Sequence, residues 1–129
     1  MDPRRSERLS EALRSELDEI LNYELDDPRM TSVAVTEVLL SADGKKAHLR
    51  LAIEGQPAQQ ISCLEVIEKA KGYIRHLLVE RLELFRIPDI RFDGDLAPDL
   101  RIKADALLKR IHRGRPKDET SPALSKKNL

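Results

Sequence analysis

From residue 3 to residue 25, Leu9, Leu13, Leu17, Ile20, Leu21 and Leu25 recur at steps of three and four, the period of one helical face. The spacing predicts one long amphipathic helix. Asp2 before Pro3, or Ser6 before Glu7, is placed to cap its start. Pro28 disfavours helical geometry at Asp27 and so closes its end. Val33 to Ser41 is then rich in β-branched and aliphatic residues, and Ala47, Leu49, Leu51 and Ile53 alternate with polar neighbours. That alternation predicts two strands. Asp43-Gly44 between them supplies positive-φ residues for a tight reversal, so the pair is expected to form an antiparallel hairpin.

Pro57 opens a second helical stretch, in which Leu64, Ile67, Ala70, Ile74, Leu77, Leu78 and Leu82 keep the period with Gly72 in the middle. Glycine inside a helix costs about 1 kcal/mol relative to alanine. Two helices meeting near Gly72 are therefore expected. Ile90, Phe92 and Leu96 alternate within Asp89 to Leu96 and predict a third strand. Leu100, Ala104, Leu107, Leu108 and Ile111 predict a last helix from Pro98, ended by Gly114 and Pro116. Residues 113–129 are polar and expected to be disordered. The order helix, strand, strand, helix, helix, strand gives an α+β fold with the helices on one sheet face, in one domain over residues 1–112.

Composition narrows the function more by exclusion than by pointing. The 129 residues are 40% hydrophobic and 36% charged, which suits a single soluble core. No apolar run approaches the roughly eighteen residues needed to span a bilayer, and MDPRRSERLS carries no apolar stretch of a secretory signal. A cytoplasmic monomer is expected. Cys63 is the only cysteine, so an internal disulfide and a cysteine-based zinc site are excluded. Its apolar helical setting makes it a core residue.

Catalytic chemistry finds little support. His48, His76 and His112 have no metal-ligand spacing and read as solvated. Asp89, Asp93, Asp95 and Asp99 suggest a cation site, but glycine and glutamate are missing at the offsets a calcium loop needs. They read instead as residues that keep the strand edge and turns soluble. Phosphate-loop, dinucleotide and G-x-S-x-G patterns are all missing from the sequence. The chain reads as no enzyme, with no metal or cofactor. The remaining rival of that class, a hydrolase using the Asp89 to Asp99 cluster, requires a divalent ion.

Charge changes the picture most. Lys and Arg together number 23 and so do Asp and Glu, but the two signs are segregated. Arg4, Arg5 and Arg8 open the first helix, whereas Glu16, Asp18, Glu19, Glu24, Asp26 and Asp27 crowd its second half. Lys69, Lys71, Arg75 and Arg81 follow on the broken helix pair. Such cations can neutralise phosphates and give affinity without base reading. The bland alternative is a solvated face balanced by nearby acids, such as Glu80 and Glu83 around Arg81. Aromatic residues amount to 3%, and Tyr23, Tyr73, Phe85 and Phe92 fall where a core would take them. Stacking on splayed bases is thus a poor prospect.

Several stretches, in this order, resemble the bacterial ribosome-binding factor A family over about residues 4–112. They are the arginine-bearing first helix, Leu25-Asp26-Asp27-Pro28-Arg29, Val35-Thr36-Glu37-Val38, Ala70-Lys71-Gly72-Tyr73-Ile74-Arg75, and Leu84-Phe85-Arg86-Ile87-Pro88-Asp89-Ile90-Arg91-Phe92. Ala70-x-Gly72 is similar to the signature with which that family replaces the G-x-x-G loop of ordinary KH domains. The stretch after Phe92 departs from the family's glycine-containing passage.

The resemblance implies a type II KH-like fold and a non-catalytic assembly factor. Such a factor binds the free 30S subunit and assists late maturation of 16S rRNA, including its 5′ end, with an association with cold adaptation. Its rRNA contacts are expected from Arg4, Arg5, Arg8, Lys69, Lys71 and Arg75, with Ala70 and Gly72 as the kink motif. A general single-stranded RNA or DNA binder is the nearer alternative.

Overall fold

The computed structural model describes residues 2–84, 86–96 and 98–114, leaving aside the side chains of 98–101 and 111–114. Helix α1 spans Pro3–Glu19 and runs on through a π-helical turn, Ile20–Glu24. Pro3 occupies its first turn and Asp2 caps it, Oδ1 accepting from the Arg4 amide at 3.2 Å, as expected of that pair. Pro28 is not the terminator: the helix unwinds at Leu25, and Asp27 to Met30 form a separate turn closed by the Met30 amide on the Asp27 carbonyl at 3.0 Å. Arg29 folds back over that turn onto Asp27, at 3.2 Å from both carboxylate oxygens. The Arg29 guanidinium holds the Asp27 carboxyl below its usual range, and Asp27 in turn holds Arg29 above its own.

Strands β1 (Val33–Leu40), β2 (Lys46–Ile53) and β3 (Asp89–Gly94) form one sheet in the order β1-β2-β3, with β1 antiparallel and β3 parallel to β2. The β1–β2 connection is longer than a two-residue reversal. It runs from Ser41 to Lys45, and only Gly44 takes positive φ, at 73°. Asp43 organises it instead, accepting from Ser41 Oγ at 2.7 Å and the Lys45 amide at 3.0 Å. Those two bonds also keep the Asp43 carboxyl low and ionised.

Helices α2 (Pro57–Lys69), α3 (Lys71–Leu82) and α4 (Pro98–Gly114) complete the fold. The break between α2 and α3 falls at Ala70, with φ −90° and ψ 7°, and not at Gly72. Gly72 lies in the first turn of α3 without a positive φ. The Ala70 methyl is buried, its amide reaches back to the Val66 carbonyl at 2.9 Å, and its carbonyl accepts from Ile74 at 2.9 Å. One residue therefore belongs to both helices while their axes diverge. Glu83, in the left-handed region at φ 52°, ends α3.

The core lies on one side of the sheet. Ala47, Leu49, Leu51 and Ile53 of β2, with Ile90 and Phe92 of β3, face Leu13, Leu17 and Ile20 of α1, Cys63, Leu64 and Ile67 of α2, and Ile74 and Leu78 of α3. Cys63 is a fully buried core residue, its thiol directed at the Met30 sulfur 3.7 Å away. Tyr23, expected in the core, is 81% exposed. Its helical angle lies off the leucine stripe, whereas residue type alone places it inside. On the opposite face Glu37, Arg50 and Asp93 lie in one row of the register and Leu39, His48 and Arg91 in the next. His48 pairs with Asp93 at 3.3 Å, and that face stays open to solvent.

Polar side chains of α1 and of the π-helical turn that follows it lock the outer edge of β1. The Asn22 amide donates to the Val33 carbonyl at 2.7 Å and accepts from the Val33 amide at 3.0 Å. Asp18 Oδ1 accepts from the Val35 amide at 2.8 Å, and Arg14 Nε donates to the Val35 carbonyl at 3.1 Å. An edge strand otherwise presents these groups to solvent or to other chains.

Candidate nucleic-acid interface

Each wall of the site comes from a different part of the chain. The leucine stripe turns α1 against the sheet, which brings Arg5 and Leu9 beside the β1–β2 connection, where Asp43 holds Lys45 in place. The divergence at Ala70 aims the first turn of α3, with Lys71, Gly72 and Arg75, at the same place. The extended passage through Leu84, Arg86, Ile87 and Pro88 into β3 closes the remaining side. Together they enclose a cleft of about 980 Å³.

Leu9, Ile74, Leu84, Ile87, Ile90 and Phe92 form its apolar floor. Five cations, Arg5, Lys45, Lys71, Arg75 and Arg86, share the lining with two acids, Asp43 and Asp89. Three positive charges are left uncompensated, and concave walls concentrate their field. Arg75 also braces the cleft, since its Nη1 lies 3.4 Å from the Pro88 carbonyl and ties α3 to the passage that forms the far wall. Gly72 offers only backbone to the cleft. Such a surface suits phosphate oxygens at its rim, since lysine acts as a point charge and arginine as a planar fork.

Of the six cations expected from the sequence, the structure thus gathers Arg5, Lys71 and Arg75. Arg4 and Arg8 are exposed on the first turns of α1, outside the lining. Lys69 is on the other side of the Ala70 joint, close enough to Asp27 to lower that carboxyl. Lys45 and Arg86 were missed by sequence reasoning. Nothing in local patterning marks Lys45, whereas Arg86 lay within a stretch already singled out.

Arg81 is taken out of the basic set altogether. It bridges to Glu19 at 2.6 Å, Glu24 at 2.7 Å and Glu16 at 3.5 Å, not to Glu80 or Glu83, and these carboxylates, Glu24 foremost, raise its pKa. The acidic second half of α1 is therefore in part a structural clamp on α3. His76 lies 3.7 Å from Glu80 on the exposed side of α3.

A second concavity, about 1040 Å³, opens between β3 and α4. Glu68, Asp89, Asp93 and Asp105 there balance Lys46, Lys71, Arg91 and Lys109. Its charge gives a polyanion no comparable attraction. Among the described residues no three of His, Cys, Asp and Glu gather as a metal site.

Comparison with known proteins converges on one family. The family model described as ribosome-binding factor A matches residues 5–108. A ribosome-binding factor A from Solibacter usitatus is 40% identical over 119 residues, covering 92% of this chain and 97% of that relative. One from Macrococcus caseolyticus is 33% identical, covering 84% and 96%. Among solved structures, the Thermus thermophilus ribosome-binding factor A crystal structure shares the fold, with a TM-score of 0.59 at 24% identity, covering 68% of this chain and 93% of that one. A coordinate set for the Thermus factor fitted into a map of its 30S complex gives a TM-score of 0.55 at 26% identity, covering 69% and 97%.

Proposed function

Since the chain belongs to the ribosome-binding factor A family, we propose that it binds the free 30S ribosomal subunit in the cytoplasm. There it assists late maturation of 16S rRNA, including processing of the 5′ end, without itself catalysing a reaction. The observation that carries the reading is the cleft in which Arg5, Lys45, Lys71, Arg75 and Arg86 meet with only two acids between them. A fitted 30S complex of a relative with the same fold supports the choice of subunit.

In this mechanism the rim cations replace counterions on rRNA phosphates as the factor docks, and the affinity falls steeply with salt. The apolar floor excludes water beneath them and strengthens each contact. The Arg75 tether to Pro88 keeps the far wall fixed, so little ordering entropy is lost on binding. The factor acts by holding rRNA in an immature arrangement until it leaves. Shape and phosphate spacing, not base identity, set the choice of site.

A density-gradient profile of the tagged chain tests the proposal. The chain is expected to co-migrate with free 30S subunits and to be absent from 70S ribosomes. Equal binding to naked RNA of any sequence would replace the assembly role with that of a general RNA binder.

A further inference from the structure

The lock on the β1 edge stops halfway along the strand. Asn22, Asp18 and Arg14 hold the outward backbone groups of Val33 and Val35. A β-bulge between Val35 and Glu37 then shifts the register. Beyond it Glu37 and Leu39 pair with Arg50 and His48, and the Ser41 amide bonds the Lys46 carbonyl at 2.9 Å. This parity turns the amides and carbonyls of Val38 and Leu40 outward. Among the described residues no hydrogen bond reaches those four groups. Leu39 between them is 52% exposed on the open face of the sheet.

The side of this edge that faces α1 carries a sign, whereas on its other side Leu39 and Leu40 share the charge-balanced concavity with Lys46, Arg91 and Lys109. Residues 4, 7, 11, 14 and 18 share one face of α1 by helical spacing, so Glu7 and Glu11, with Arg4 beyond them, continue the stripe that begins with Asp18 and Arg14. Both glutamates are exposed and make no ion pair among the described residues. The first turns of α1 lie beside the β1–β2 connection, since Arg5 and Leu9 share a cleft with Asp43 and Lys45. This end of α1 therefore runs next to the unlocked half of β1. Glu37, 3.9 Å from Arg50, adds a third carboxylate at the edge.

We propose that the distal half of β1 is a docking edge for an extended, lysine- or arginine-bearing polypeptide segment, which adds a fourth strand to the sheet. Val38 and Leu40 give it backbone hydrogen bonds. Leu39 takes an aliphatic side chain of the incoming strand, and Glu7, Glu11 and Glu37 select basic neighbours. The edge takes a partner of the opposite charge from the one that the adjoining cationic cleft takes, so the two do not compete for one set of side chains.

The test uses the isotope-labelled full chain and a synthetic octapeptide of alternating valine and lysine, followed by amide chemical shifts. Saturable shifts are expected at the Val38 and Leu40 amides. N-methylating the two peptide amides on the pairing side is expected to weaken binding about tenfold or more, the loss of two backbone hydrogen bonds. The surface pair Glu7→Gln and Glu11→Gln is expected to weaken it severalfold with the fold unchanged. Equal affinity of the N-methylated peptide, equal shifts with a valine–glutamate peptide, or silence at Val38 and Leu40 at millimolar peptide would overturn the proposal. Shifts that track protein concentration without peptide would also overturn it, assigning the edge to a second copy. Association with 30S subunits is read separately and does not depend on this outcome.

Discussion

Reversing three cleft cations together, Arg5→Glu, Lys71→Glu and Arg86→Glu, is expected to abolish co-sedimentation with 30S subunits at physiological salt. Each cation stands for about one phosphate contact, and each lost contact lowers the salt slope by about one. Reversal goes further than removal, because the cleft then turns from three uncompensated positive charges to a net negative surface facing a polyanion. An affinity loss on the order of a thousandfold or more follows from three charge-assisted contacts at about 1.5 kcal/mol each. Arg5 and Arg86 are exposed and Lys71 is half-buried, and none of the three forms a salt bridge among the described residues, so the fold is expected to survive. Arg75 is left out of the set because its bond to the Pro88 carbonyl also shapes the far wall. Circular dichroism and the urea midpoint of the triple variant check that the loss is one of binding.

Leu49→Ala is expected to have the largest effect on stability. Leu49 is fully buried at the middle of the central strand, in register with Val38 on one side and Phe92 on the other. Truncation removes its methyl groups from the centre of the core and leaves a cavity that the paired strands cannot close without breaking register. A loss of about 3 kcal/mol or more is expected, a large share of the roughly 5–15 kcal/mol that holds a domain of this size. Urea unfolding measures it. A change under about 1 kcal/mol would mean that Leu49 does not occupy the packed centre of the core.

How far these features could be read from the sequence depends on the kind of interaction. Leu13, Leu17 and Ile20 announce α1, and Ala47, Leu49, Leu51 and Ile53 announce β2, because periodic burial is written directly into the order of residues. The polar clasp of Asp18 and Asn22 was not readable, since both bond to strand backbone, which carries no sequence signature. Asp18 looked like one more acid in a run. Of the two residues expected at the joint, Ala70 is the one that breaks the helix, with a buried methyl and an ordinary negative φ, whereas Gly72, the residue type expected at a break, lies in the first turn of α3.

The cleft shows the same limit at longer range. Arg5, Lys71 and Arg75 were found as basic residues on helices, but their convergence needs the chain path, and Lys45 enters only because the β1–β2 connection folds beside α1. Lys69 and Lys71 look equivalent in the sequence. Two residues apart on a helix they already point about 200° away from each other, and the divergence at Ala70 separates them further.

That pair gives the most direct test of the central claim, that the cleft is the surface on which rRNA docks. Binding of the purified chain to 30S subunits is measured across a salt series for Lys71→Ala and for Lys69→Ala. Lys71→Ala is predicted to weaken binding and to lower the salt slope by about one, while Lys69→Ala follows the unsubstituted chain. Equal losses from both, or a loss from Lys69→Ala alone, would contradict docking at the cleft.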